Sequence, residues 1–194
     1  KLSDVLDITF PHFDPDITIH HLLTHTAGIP DYFDEEVMDD FEELWVKHPM
    51  YLMRSGHDFL PIFQHEPMKL AIGERFHYNN AGYILLGLVV EKTSNMRFEE
   101  YIVESIFNKA GMEQSGYFAM DALPENTALG YIDNEDGSWR SNIYSVPAKG
   151  GADGGAFITV MDMSRFWKAL FEFQLLSEPV TKLLLTPYIH TDEE

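Results

Sequence analysis

The stretch Phe76-His77-Tyr78-Asn79-Asn80-Ala81-Gly82-Tyr83-Ile84-Leu85-Leu86-Gly87-Leu88-Val89-Val90 decides the fold class. Ala81, Ile84, Leu85, Leu88 and Val89 fall at the i, i+3, i+4, i+7 and i+8 positions of one helix face, and Leu86 and Val90 widen that stripe. A helix that is apolar over most of its circumference belongs in a protein interior. The spacing predicts a helix over residues 80–93. Its N-cap is Asn79 or Asn80, whose side-chain oxygen can accept from the orphan N–H groups of the first turn. Gly82 and Gly87 each cost about 1 kcal/mol relative to Ala inside a helix, so close backbone packing is expected to offset them.

Working outward, most of the chain reads as helices separated by Gly and Pro. Ile19, Leu22 and Leu23 predict a helix over residues 18–25, ended by Gly28-Ile29-Pro30. Residues 41–47 and 57–63 are short helical candidates. Residues 98–109 read as an amphipathic helix with Tyr101, Ile102, Ser105 and Ile106 inward and Gly111 at its C-terminal cap. Between residues 129 and 143 the period shortens, and Asn134-Glu135-Asp136-Gly137 is a hairpin turn between two short strands. Residues 147–155 form a Gly-rich loop. Thr159 with Asp162 three residues on reads as a capping box opening a helix through residue 173, and a last helix is expected over residues 178–185. There are no repeats and no low-complexity linker. Residues 1–194 therefore read as a single, mostly α domain with a short β-hairpin.

Composition narrows the function classes. With 45% hydrophobic and 13% aromatic residues in 194, the chain can build a sizeable core. No run approaches the roughly 18 apolar residues of a membrane span. A formal net charge of −19 repels phosphate backbones, which argues against nucleic acid as a partner. Seven of the ten residues from 34 to 43 are acidic. They lack the alternating ligands and central Gly of a calcium loop, and read instead as a solvated helix face with Phe41, Leu44 and Trp45 inward. The absence of Cys excludes disulfides, Cys-based zinc sites and a thiol nucleophile, and leaves an exported and a cytoplasmic location equally open. The chain starts at Lys1 and stops at Glu194 close to patterned sequence at both ends, so a piece of a longer protein is expected.

Several motifs offer chemistry. His21 and His25 have the i, i+4 spacing of a zinc-binding pair, but residue 22 is Leu where such a motif carries Glu. A hydrogen-bonded, half-buried His25 fixing the turn at residues 26–28 is the commoner outcome, and no metal or cofactor is assigned. Lys149-Gly150-Gly151-Ala152-Asp153-Gly154-Gly155 lacks the order of a phosphate-binding loop, while its four glycines suit a wall that lines a substrate. No Ser opens a Ser-x-x-Lys, since Ser145 and Ser164 have Lys one position too far, and no Gly-x-Ser-x-Gly occurs. Tyr78 and Asn80, two residues apart where a loop enters a buried helix, can share one cleft. A Tyr works as a base only where a neighbouring cation stabilises its phenolate.

The succession His20 to Pro30 with Leu22-Leu23-Thr24-His25-Thr26-Ala27-Gly28, then residues 73–87 around Tyr78-Asn79-Asn80, then Ile106-Phe107 to Gly111-Met112, resembles the class C-like branch of the serine β-lactamase/penicillin-binding protein family. Asp153-Gly154-Gly155-Ala156-Phe157 through Asp162 and Phe166 resembles that family's later Gly-rich turn and helix. Ala71-Ile72-Gly73 departs from the usual Pro-Gly, and Asn95 stands where Gly is usual after the helix. The resemblance implies the helical domain of an α+β fold whose sheet-forming ends lie outside the chain. It implies Tyr78 as proton relay, Asn80 as the residue orienting Lys and substrate amide, and Asp153, Gly154 and Gly155 as substrate-lining residues. A Ser-x-x-Lys upstream and a Lys/His-x-Gly downstream would complete the site. Lys109-Ala110-Gly111 and Lys149-Gly150-Gly151 match Lys-x-Gly but stand at the wrong places.

The expected activity is acyl transfer by a bacterial serine hydrolase on a small molecule or peptide with an amide or ester carbonyl, of D-alanyl peptidase, β-lactamase or esterase type. The alternative is a non-catalytic peptidoglycan- or peptide-binding domain of the same fold. The 194 residues alone are expected to be inactive. They are expected to expose apolar surface on one side of the helix at residues 81–90, and to dimerise through it.

Overall fold

The computed structural model describes residues 1–191, so the last three residues of the stretch read as a cut end lie outside it. After a 3-10 turn at Leu2–Asp4 come α1 (Ile19–Leu23), a 3-10 turn Phe41–Glu43 running into α2 (Leu44–Lys47), a 3-10 turn Met50–Leu52, and α3 (Gly56–Phe63). The long helix α4 covers Asn80–Ser94. α5 (Phe98–Ile102) continues through a π turn at Val103–Phe107 into α6 (Asn108–Ala110). The antiparallel hairpin β1 (Tyr131–Asp133) and β2 (Trp139–Ser141) pairs Ile132 with Arg140. A 3-10 turn Asn142–Tyr144, then α7 (Val160–Phe171) and α8 (Glu178–Leu184), complete the described chain.

The core forms around α4, which packs against α1, α3 and α5. Ala81, Ile84, Leu85 and Leu88 of α4 are buried together with Leu22, Ile29, Phe59 and Phe63. Its C-cap Asn95 takes the left-handed conformation at φ 58°, the place of the usual Gly. Gly73 is left-handed too, at φ 72°. Asn95 thus keeps the left-handed cap that Gly usually supplies after the helix.

The two helical glycines differ. A Cβ at Gly87 would meet the Ala152 Cβ at 2.5 Å, so the Gly-rich loop rests directly on the α4 backbone there. At Gly82 the nearest atom would be Asn79 Oδ1 at 3.4 Å, an ordinary contact. Close packing thus explains Gly87 and not Gly82.

Other expectations change in detail. α1 ends at Leu23, two residues short of the periodicity, because His25 turns left-handed at φ 53°. The π turn adds a residue to the helical repeat and makes Phe107 the buried side chain, where the spacing pointed to Ile106. Thr159 caps α7 by accepting from the Asp162 N–H. The Asp162 carboxylate does not return the bond. It is buried and accepts from the Gln114 N–H and the Ser115 hydroxyl, with Arg165 Nη1 at 2.6 Å.

The acidic run is not simply solvated. Asp34 pairs with Lys69, Glu36 with Arg75 at 2.8 Å, and Glu42 with Arg140 at 2.5 Å. Nor is α4 bare on one side, for none of its apolar residues is exposed. Exposed apolar side chains are found along the chain, at Val46 and Tyr144 among others, and α7 and α8 carry a group of them at Val160, Trp167, Phe171, Leu183 and Leu184.

Gly87→Ala is expected to destabilise the chain by about 1–3 kcal/mol despite the better helix propensity of Ala, because the loop at Ala152 must move. Gly82→Ala is expected to be neutral or stabilising by up to about 1 kcal/mol. Urea unfolding of both variants checks the pair, and equal effects would contradict the Gly87–Ala152 contact.

Candidate active site

The first turn of α4 begins inside the protein, so its orphan N–H groups need acceptors from the chain. All three are found on side chains. The Asn80 and Ala81 N–H groups donate to the two carboxylate oxygens of Asp31 at 2.7 and 2.9 Å. The Gly82 N–H donates to Asn79 Oδ1 at 2.7 Å, which settles Asn79 as the N-cap. Asn79 is held in turn from both ends: its Nδ2 donates to the Ile29 carbonyl at 2.9 Å, and its own N–H to His25 Nδ1 at 3.1 Å.

His25 is the second anchor. Its carbonyl accepts from the His77 N–H at 2.9 Å, and its ring stacks on Tyr83 at 4.9 Å and lies tilted against Tyr78 at 4.8 Å. Burial, then His77, lowers its pKa, which matches the neutral ring needed for Nδ1 to accept. His25 is thus half-buried and hydrogen-bonded as expected, but what it fixes is the segment from 77 to 79. His21 Nδ1 accepts from the Thr18 N–H at 3.2 Å. With His25 beyond the end of α1, the two rings do not share a helix face.

A different cluster has ligand chemistry. Asp34, Glu36 and His77 each bring one ligand atom within 4.8 Å of the others. The Lys69 ammonium already stands among them, paired with Asp34, 3.8 Å from Glu36 and 3.1 Å from His77 Nε2. Burial and this ammonium hold His77 below its ordinary pKa. The place of a metal ion is taken by the protein's own cation.

Tyr78, Asn80, Asp153, Gly154 and Gly155 line one cleft of about 520 Å³, together with His25, Tyr83 and Tyr117. Asn80 lies in the first turn of α4 with both amide hydrogens used, by Asp31 Oδ2 and the Phe33 carbonyl, each at 3.1 Å. Among the described residues no donor reaches its Oδ1, which leaves an acceptor. Tyr78 is 44% exposed. Partial burial, then the carboxylates of Glu35, Asp31 and Asp153, push its phenol up, so these residues keep it protonated. Burial also pushes the Tyr117 phenol up to about 12.

The opposite wall is the Gly-rich turn, where Gly151 and Gly154 form an isolated antiparallel bridge. A Cβ at Gly150 would meet Gly155 Cα at 2.5 Å, and Gly155 has φ +88°. Those two glycines serve the turn's own backbone, whereas a Cβ at Gly154 would meet only open space. The Asp153 carboxylate is mostly buried and accepts from the Tyr32 hydroxyl, which ties this wall to the segment that caps α4. Burial pushes Asp153 above the usual carboxylate range and drives the Tyr32 phenol strongly upward. Lys149, the second Lys-x-Gly decoy, pairs with Glu99. Gly111 of the first decoy is left-handed at φ 70° and closes α6.

Asp31, Tyr32 and Glu35 were not singled out from sequence. Asp31 acts on residues about fifty positions away, and no local spacing announces that.

The chain belongs to the beta-lactamase family, whose pattern matches residues 2–191, a family of serine acyl-transfer hydrolases. It is 32% identical over 136 residues to penicillin-binding protein 4* of Bacillus subtilis, a match covering 67% of this chain and 28% of that one. The structure of a penicillin-binding protein from Bacillus halodurans superposes with a TM-score of 0.94 at 59% identity, over 99% of this chain and 58% of that one. A D-stereospecific amidohydrolase from Streptomyces shares the fold, with a TM-score of 0.78 at 20% identity over 99% of this chain and 58% of that one. The chain therefore spans less than two thirds of the length of these relatives.

Asp31→Ala is expected to lower the unfolding free energy by about 2 kcal/mol, because the donors at the start of α4 lose their acceptor. A loss below about 0.5 kcal/mol in urea unfolding would contradict that role. Asp153 offers a pH test. A carboxyl whose folded pKa is raised contributes stability that is present below its unfolded pKa and lost as pH rises through the folded value. Asp153→Asn should therefore gain stability on the parent chain as pH rises above about 4, and melting curves that stay parallel across that rise would be the contrary result.

Proposed function

We propose that this chain supplies the Tyr-x-Asn element of a serine acyl-transfer hydrolase, with Tyr78 as proton relay and Asn80 as orienting residue. The observation that carries the reading is the single cleft into which α4 brings Tyr78 and Asn80, with Asp153, Gly154 and Gly155 on the facing wall. The substrate is a small molecule or peptide with an amide or ester carbonyl. In such a reaction a serine attacks the carbonyl, and its proton must reach the leaving group.

The chain's own electrostatics set the conditions. A phenol pushed up by burial and by three carboxylates stays protonated, and it serves as a base only where a cation beside it stabilises the phenolate. In this reading that cation is the Lys of a Ser-x-x-Lys that the 194 residues do not contain. Asn80 Oδ1 is suited to accept from that ammonium or from the substrate amide. The oxyanion must be held by other donors, because the first three N–H groups of α4 are consumed by Asp31 and Asn79. Gly154, with open space above its backbone, is suited to line the bound substrate; Asp153, tied to Tyr32, holds the turn in place.

The apolar side chains of α7 and α8 support self-association of the 194 residues when they are produced alone. Size-exclusion chromatography over a hundredfold range of concentration is expected to detect it, and a monomer throughout would contradict it.

In the full-length protein, Tyr78→Phe should slow acylation by a penicillin or an ester probe by about 100-fold or more, the scale of a lost proton relay. The 194-residue chain alone should not hydrolyse a chromogenic β-lactam. Unchanged acylation in the variant would remove Tyr78 from the mechanism.

A further inference from the structure

A second cavity, of about 580 Å³, adjoins the cleft and shares Asn80 and residues 153–156 with it. That volume lies in the range of small-molecule sites. Its walls are apolar and largely aromatic. Phe33 and Phe41 meet edge to face at 4.8 Å, Phe118 and Phe157 lie 5.8 Å apart, and Phe59, Met120, Leu129 and Val146 are among the other apolar side chains of the lining. Two of the three charged side chains on its rim are engaged within the chain. Lys149 is paired with Glu99, and Asp153 accepts from Tyr32. Glu35 remains, a carboxylate with no ion pair among the described residues, and its field reaches Tyr78.

We infer that this cavity holds a bulky apolar group of the substrate, aryl or medium-chain alkyl, attached to the carbonyl that Asn80 faces, and that Glu35 disfavours substrates carrying a carboxylate there. The inference rests on the proposed acyl-transfer reading for the position of the carbonyl. The cavity itself does not depend on a nucleophile. A small acyl group such as acetyl would leave the aromatic walls in water, whereas a phenyl ring at the end of a short chain removes them from it, and affinity rises with the apolar area buried. The carboxylate of an anionic ligand would lie near Glu35 on the rim, where the negative fields of Glu35, Asp31 and Asp153 already reach Tyr78.

The experiment measures binding by the 194-residue chain, so it is blind to catalysis. Amide-proton NMR titrations would compare 4-phenylbutanamide, acetamide and 4-phenylbutanoate. The phenyl amide should bind at least about 30-fold more tightly than acetamide, with shifts at Ala128, Gly130, Gly155 and Phe157, and the carboxylate about 3-fold or more weaker than the amide. Leu129→Glu, at a half-exposed rim position, should weaken the phenyl amide at least about 10-fold. Val46→Glu, on the exposed surface away from the cavity, should not change it. Equal affinity for phenyl amide and acetamide, no saturable binding, or shifts elsewhere in the chain would overturn the proposal. A positive titration alongside unchanged acylation of the full-length Tyr78→Phe variant would leave the cavity's role standing and remove the catalytic one.

Discussion

The structure depends on the capping of one helix. α4 is apolar on nearly every side and begins in the interior, where an unpaired N–H is costly. The chain must deliver acceptors to that point, and it does so from two directions. Asn79 supplies one from the helix's own entrance, and Asp31 supplies two from a loop some fifty residues earlier. His25 then holds the Asn79 N–H in an uncommon left-handed backbone. These bonds fix the direction of Tyr78 and Asn80 as a consequence of burying α4.

The second wall is placed by packing, not by polar capping. Gly87 lets the Gly-rich turn lie on the α4 backbone at Ala152, and the Tyr32–Asp153 hydrogen bond joins that turn to the capping loop. Two constraints on one helix therefore set the separation of the cleft's walls. Burial first, then Glu35 together with the Asp31 and Asp153 carboxylates that cap and tie these segments, raises the pKa of Tyr78. In the proposed relay, a cation brought beside Tyr78 would have to offset these effects before the phenolate could form.

Much of this was legible in the sequence where the cause is local. The helix over 80–93, the hairpin at Asn134 to Gly137, the Asn95 cap and the Thr159 cap all follow from neighbours within four residues. What was not legible depends on distant partners. Asp162 sits where a capping box would want it, yet its carboxylate goes to Gln114 and Ser115. The acidic run reads as solvated because Lys69, Arg75 and Arg140 lie elsewhere in sequence. Exposed apolar surface was expected on α4, which is covered, while α7 and α8 leave a group of apolar side chains exposed, since periodicity shows that a face is apolar but not what covers it. For the site, the five named residues do share a cleft, while the cavity beside it joins residues from segments spread between 32 and 157 and had no motif to mark it.

The account's central claim is that Tyr78 and Asn80 face the reacting carbonyl. The most direct measurement is a crystal structure of the full-length protein acylated by a β-lactam or an ester. The account predicts the Tyr78 hydroxyl within hydrogen-bond distance of the acylated serine oxygen or the leaving-group nitrogen, and Asn80 Oδ1 within reach of the Lys ammonium or the ligand amide. An acyl group bound away from α4's first turn, with Tyr78 and Asn80 untouched by ligand or nucleophile, would contradict it.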